Sequence, residues 1–194
     1  MGHREDLLEG AKRCLLEKGF VRTTARDIVK ESGTNLASIG YHYGSKDALL
    51  TQAFVELVQE WGEKFDPAEA RNAEPGGSLD RFRGVWARML ESMDEFRPIW
   101  TASLEIATQG DRVPELRKLM AKAQTEGRSG LVALFTGADE STLDERTVRT
   151  LGGFYQALLN GLMVQWLFDP AGAATADDLT EGLRRVLEGV RETE

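Results

Sequence analysis

The segment from Thr24 to Leu50 constrains the fold more than any other part of the chain. Thr24, with Asp27 three residues on, has the form of a capping box opening a short helix over about 25–32. Gly33 supplies a turn in which a positive φ is cheap only for glycine. Asn35 has the side chain of an N-cap for a second short helix reaching about Tyr43. Ser45 does the same for a longer third helix, with Lys46 at its first position. Two short capped helices joined by a glycine turn make a helix-turn-helix, an arrangement that suits one helix to a DNA major groove.

The rest of the chain is helical in its periodicity, and no β-type alternation of useful length interrupts it. Leu7, Leu8, Ala11, Cys14 and Leu15 mark one face of a first helix closed by Gly19. The helix after Ser45 carries Leu49, Leu50, Phe54, Leu57, Trp61 and Phe65 on one side. Pro67, Pro75 and a Gly-Gly pair predict a loop over 66–77. Further helices are expected from about Ser78, with Pro98 and Pro114 in the first turns of the next two. A loop over 136–142, a helix over about 143–168 and a last one over about 176–191 complete the chain. The last helix has one apolar stripe, Leu179, Leu183, Val186, Leu187 and Val190. The expected fold class is all-α with about nine helices: a three-helix unit over 1–47, then a helical domain over 48–194.

Composition removes several kinds of chemistry. A single cysteine, Cys14, forms no intrachain disulfide and fits a cytoplasmic protein. With only His3 and His42 beside it, no multi-ligand His/Cys metal site can be built. Cys14 lies on an apolar face with no histidine near it in sequence, and no phosphate-cradling glycine loop exists. No cofactor and no enzymatic centre are expected. The stretch Thr150–Phe168 has no charge, yet Gly152, Gly153, Gln156, Asn160, Gly161 and Gln165 make it too polar for a membrane span. A helix buried in protein is expected there.

Net charge is −8, which on its face opposes nucleic acid. Its distribution does not. Residues 1–47 hold 8 Lys+Arg and 7 Asp+Glu, a net of +1, so the remainder carries −9. The helix-turn-helix end is the part that can approach phosphates, through positioned contacts and doubling by a second subunit rather than bulk charge.

The string carried by Thr24, Asp27, Ile28, Gly33, Ser38, Ile39, His42, Tyr43, Ser45, Lys46 and Leu49 resembles the tetracycline-repressor-like (TetR) family of bacterial transcription regulators. The close match covers about residues 7–50; beyond it, chain length and helix number agree. The resemblance implies that Asn35–Tyr43 is the recognition helix and that Lys46 holds a phosphate, which suits a cation at a helix N-terminus. Candidate DNA-contacting residues are Thr24, Asn35, Ala37, Ser38, Tyr41, His42 and Lys46. Ser38 can donate or accept at a base edge, and Ala37 can meet a thymine methyl. One position departs from the pattern: Gly40 stands where many members carry a tyrosine, which puts that contact in doubt unless Tyr41 supplies it.

Two roles are expected of residues 48–194. The helix over 143–168 is apolar on more than one side, and with the last helix resembles the family's dimer seam, with Leu151, Tyr155, Leu158, Leu162, Leu183 and Leu187 as its candidates. Trp61, Phe82, Trp86, Met89, Met93, Trp100, Leu104, Met120 and Phe154, with Glu105 and Asn160 as polar groups, are candidates for an apolar effector pocket, although such residues also make ordinary core. The expected partners are double-stranded operator DNA, a small-molecule effector and a second copy of the chain. The expected function is a dimeric repressor released from DNA by an apolar ligand. The alternative is a helical ligand-binding or enzymatic domain that merely contains a helix-turn-helix.

Overall fold

The computed structural model describes residues 2–65, 78–109 and 114–191. Among them are nine helices and no strand: α1 His3–Lys18, α2 Ala25–Ser32, α3 Leu36–Tyr43, α4 Lys46–Glu63, α5 Leu79–Glu91, α6 Arg97–Gln109, α7 Pro114–Thr136, α8 over 145–168, and α9 Ala176–Arg191. The expected loop over 66–77 and the side chains of Leu116 and Val190 lie outside the described residues. The chain divides into two compact units, Met1–Lys64 with Glu95–Ala123, and Phe65–Asp94 with Gln124–Glu194.

In the first unit, α1 packs against α2, α3, α4 and α6. Leu7, Ala11 and Leu15 of α1, Ile28 of α2, Ile39 of α3 and Leu49, Leu50 and Phe54 of α4 are buried together as its core. Gly10 is what allows α2 so close: a Cβ there would stand 2.8 Å from the Ser32 Cβ and 3.2 Å from the Ile28 carbonyl oxygen. Lys12 is buried but not orphaned, because Glu9, Glu56 and Glu60 surround its ammonium group, the arrangement a buried charge requires. Burial pushes the Cys14 thiol up, as befits a structural cysteine. Trp61, Phe96 and Trp100 form an aromatic cluster, Trp61 meeting Trp100 edge-on at 4.7 Å.

The second unit is built on a larger aromatic cluster. Phe135 of α7 stacks on Tyr155 of α8 at 4.1 Å, with Trp86 and Phe82 of α5 at 5.2 and 5.6 Å from Phe135. Arg81 is buried beside it and donates from Nε to the Leu134 carbonyl at 3.0 Å. In α8 the first turn, Glu145–Thr147, passes into a wider π-type turn, Val148–Gly152, before the α-helix Gly153–Phe168. The widening coincides with a close pass of α7, since a Cβ on Gly152 would lie 2.8 Å from the Arg128 carbonyl oxygen. Gln156 holds the two helices together: its amide nitrogen donates to the Gln124 carbonyl (2.9 Å) and its oxygen accepts from Arg128 Nε (2.8 Å). No helix of the described residues is long and apolar enough to cross a membrane.

Candidate DNA-binding surface

The reading end is held by caps. Thr24 Oγ1 accepts from the Asp27 N–H at 3.2 Å, and the Asp27 carboxylate accepts in return from the Thr24 N–H (2.9 Å) and hydroxyl (2.6 Å). Lys18 donates to the other carboxylate oxygen. The Lys18 ammonium, then the two Thr24 hydrogen bonds, hold the Asp27 carboxyl well below the usual carboxylate range. Gly33 closes α2 in the left-handed conformation, φ 68° and ψ 20°, which any other residue would adopt only under strain. Asn35 Oδ1 accepts from the Ser38 N–H (3.1 Å) and Ser45 Oγ from the Ala48 N–H (3.0 Å), so α3 and α4 start on side-chain caps.

This scaffold gives α3 two different sides. Ile39 is buried, and Tyr43 is half-buried with its hydroxyl donating to the Arg4 carbonyl at 2.6 Å, which ties the end of α3 to the start of α1. The opposite side presents Leu36, Ala37, Gly40 and Tyr41, with Tyr41 86% exposed. His42 is half-buried, its ring 4.8 Å from Tyr41 and edge-on to it. Thr24 and Asn35 are exposed and Ser38 is half-buried. All seven DNA-contact candidates thus fall at the caps of α2 and α3, on α3 itself, or at the start of α4, within one unit. Lys46 needs a finer description: its Nζ donates to the Thr23 carbonyl (3.2 Å) and pairs with Asp47 (2.9 Å). It stands half-buried at the head of α4, satisfied by protein groups that a phosphate would have to displace.

Sequence reasoning missed several positioning groups. Thr23 is buried, and its hydroxyl bonds the Gly19 carbonyl at 2.6 Å, fixing the α1–α2 connection; nothing in sequence separates it from Thr24. Arg22 and Arg26 flank the α2 cap and are exposed, and that placement beside a helix N-terminus was the available signal. Glu105, expected among pocket residues, has another task in this structure. Its carboxylate accepts from the backbone N–H groups of Phe20 (2.7 Å) and Val21 (3.0 Å), clasping α6 to the turn that follows α1. Glu105→Ala is expected to lower stability by about 2 kcal/mol, the cost of two charge-assisted bonds with the Phe20 N–H left unmatched. Glu105→Gln, which keeps one acceptor oxygen, should lose less; equal denaturation midpoints for wild type and both variants would refute the clasp.

The remaining expected pocket residues divide between the units. Trp61, Trp100, Leu104 and Met120 belong to the first. Phe82, Trp86, Met89 and Met93 are buried in the second. Among the described residues the indole N–H of Trp86 is buried without a hydrogen-bond partner, and so is that of Trp100. Phe154 and Asn160, by contrast, are exposed on α8. Of the expected seam residues, Tyr155 and Leu162 correct the sequence reading. They are buried in the chain's own core, Tyr155 against Phe135, and offer little surface to a partner. Leu151, Leu158 and Leu183 are half-buried and Leu187 is 48% exposed.

Comparison with known proteins matches this architecture along its length. Residues 7–53 fit the family model described as bacterial regulatory proteins, tetR family, and residues 77–191 fit that of the tetracyclin repressor-like C-terminal domain. The chain is 27% identical over 192 residues to the HTH-type transcriptional repressor AcnR of Corynebacterium glutamicum, covering 98% of this chain and 91% of that one. In fold it is similar to SCO7518 of Streptomyces coelicolor A3(2), with a TM-score of 0.69, 23% identity, and 95% and 97% of the two chains covered. It is also similar to the multidrug binding protein EbrR complexed with proflavin, with a TM-score of 0.63, 22% identity, and 95% and 99% covered. With its second family model spanning over half of its residues, the chain belongs to the TetR family of helix-turn-helix transcription regulators and is not an enzyme.

Proposed function

We propose that the chain works in the cytoplasm as a homodimeric repressor, in which 1–47 reads operator DNA and 48–194 pairs subunits and binds an effector. The observation that carries the reading is α3: an eight-residue helix anchored on one side by Ile39 and Tyr43 and open on the other through Tyr41. Ala37, Ser38, Tyr41 and His42 meet the major groove, while Thr24, Asn35 and Lys46 at three helix N-termini meet the phosphates on either side. Pairing places two such helices one DNA turn apart, roughly 34–36 Å.

The unmatched Trp86 N–H, set among Phe82, Phe135 and Tyr155, supports an aromatic effector carrying one hydrogen-bond acceptor. That EbrR is solved with proflavin is consistent with such a ligand at the level of fold alone. An effector acts only through its unequal affinity for DNA-competent and DNA-incompetent states, and the Glu105 clasp gives α6 a direct hold on the reading end.

The test is fluorescence anisotropy on DNA from upstream of the chain's own gene, titrated with planar aromatic compounds that raise its melting temperature. Nanomolar binding, weakened at least tenfold by a stabilising compound, is expected. Operator affinity indifferent to every compound that binds would defeat the release mechanism.

A further inference from the structure

The outward face of α3 has an unusual chemistry for a helix that meets base edges. From Leu36 to Tyr43 there is no lysine, arginine, aspartate, glutamate, asparagine or glutamine. Apart from the Tyr41 hydroxyl, what it exposes is carbon: Leu36 is 53% exposed and Tyr41 86%, with Ala37 and Gly40 exposed between them. Positions 36, 37, 40 and 41 share one side of a helix. A Cβ on Gly40 would meet nothing within 4 Å, so the centre of this face is open to close approach.

A major groove offers two kinds of recognisable feature, donor and acceptor atoms on base edges and the C5 methyl of thymine. Guanine is normally read by a bidentate arginine or lysine, and adenine by a bidentate asparagine or glutamine. None of these lies within α3, and Asn35, just ahead of it, has its oxygen engaged as the helix cap. Ser38 and His42 are half-buried, and neither has the side chain that reads guanine or adenine in a bidentate pair. The exposed cations around α3 belong to other segments: Arg4 of α1, 5.6 Å from the Tyr43 ring centroid, and Arg22, Arg26 and Lys30 before and along α2, where phosphates are the natural partners.

We infer that α3 reads its operator through thymine methyl groups: Leu36, Ala37 and the ring of Tyr41, arranged around the gap at Gly40, pack against the C5 methyls of T·A pairs in each half-site. The inference rests on α3 being the recognition helix. It makes the operator core rich in thymine at the contacted positions, and it makes discrimination a matter of apolar contact rather than of hydrogen-bond pattern.

The experiment uses the full chain and a duplex site selected by it from a random pool. Replacing half-site thymines one at a time by deoxyuracil removes only the methyl and leaves pairing intact. Each contacted methyl should lower affinity about fourfold, the worth of one buried methyl. Leu36→Ala and Tyr41→Ala, both at exposed positions, should bind the thymine site more weakly than wild type. On the deoxyuracil site the difference should shrink, the signature of a coupled contact. Replacing guanines by 7-deazaguanine, which deletes the N7 acceptor, should change affinity less than twofold. Deoxyuracil duplexes bound as tightly as thymine duplexes would overturn the inference, as would a tenfold loss with 7-deazaguanine, while leaving the regulator reading intact. A pool that yields no enriched site would remove both.

Discussion

Gly161→Arg is expected to leave the subunit folded, to separate the dimer, and to weaken operator binding by a hundredfold or more. Phe154, Ala157, Gly161, Gln165 and Phe168 are all exposed along α8, Phe168 at 85%. Their spacings of three, four, four and three residues keep them on one stripe, as in a helix–helix seam. No charged residue occurs between Thr150 and Phe168, whereas the solvated side of α1 carries Arg4, Glu5, Arg13 and Glu17. On α9, Val186 and Leu187 are exposed as well, at 63% and 48%. A Cβ on Gly161 would meet nothing within 4 Å. Arginine there costs the free subunit nothing sterically and improves helix propensity by up to about 1 kcal/mol. In a two-fold seam it would bring two unpaired charges together at the point of closest approach. A lone subunit, with a net charge of only +1 on its reading end, then binds one half-site without the gain of roughly 10²–10⁴ that linkage to a second confers. Sedimentation velocity and anisotropy check the two halves together. A variant that remains dimeric would place the seam elsewhere, and a monomer with wild-type affinity would show that operator binding does not need the second subunit.

The reading end was legible because its information is local. Thr24, Asn35 and Ser45 each cap the helix that follows within three residues, and α2, α3 and α4 begin at the residue after each cap. Ala176–Arg191 was legible for the same reason, since Thr175 accepts from the Asp178 N–H at its start. Where one residue breaks the period, pattern reading fails. The π-type turn Val148–Gly152 inside α8 lies against the backbone of α7 at Arg128, a neighbour that no 3.6-residue count can reveal.

Faces were legible and neighbours were not. Periodicity marked Tyr155 and Leu162 as apolar, but not that Phe135 and the second unit's core would claim them rather than a partner. It grouped Trp61 and Trp100 with Phe82 and Trp86, which the fold assigns to two aromatic clusters in different units. Glu105 looked like a ligand-orienting carboxylate because it is a polar group set among apolar pocket candidates. Its partners, Phe20 and Val21, are 85 and 84 residues away in sequence. The exposed stripe on α8 was half visible: the helix reads as apolar on more than one side, yet Phe154 was counted with the pocket instead of the surface where it lies.

Lys46→Ala is expected to lower operator affinity about tenfold per half-site and to flatten its salt dependence, the log–log slope falling by about two for a dimer. The free protein spends the ammonium group on the Thr23 carbonyl and on Asp47. Binding a phosphate therefore exchanges a neutral acceptor for an anion at the N-terminus of α4, where backbone N–H groups already favour negative charge. Asp47 works against that exchange, since its carboxylate both holds Lys46 and repels the phosphate. Asp47→Asn should consequently tighten binding severalfold, the reverse of the lysine variant, with little change in stability because the pair is partly exposed. Losing the bond to Thr23 is worth about 1 kcal/mol to the fold, so a thermal melt of Lys46→Ala separates a loosened α1–α2 connection from a lost phosphate contact. Lys46→Arg, which keeps the charge, should keep the slope. If Lys46→Ala retains the wild-type slope, the ammonium group stays on Thr23 in the complex and Arg22 or Arg26 carries the phosphate instead.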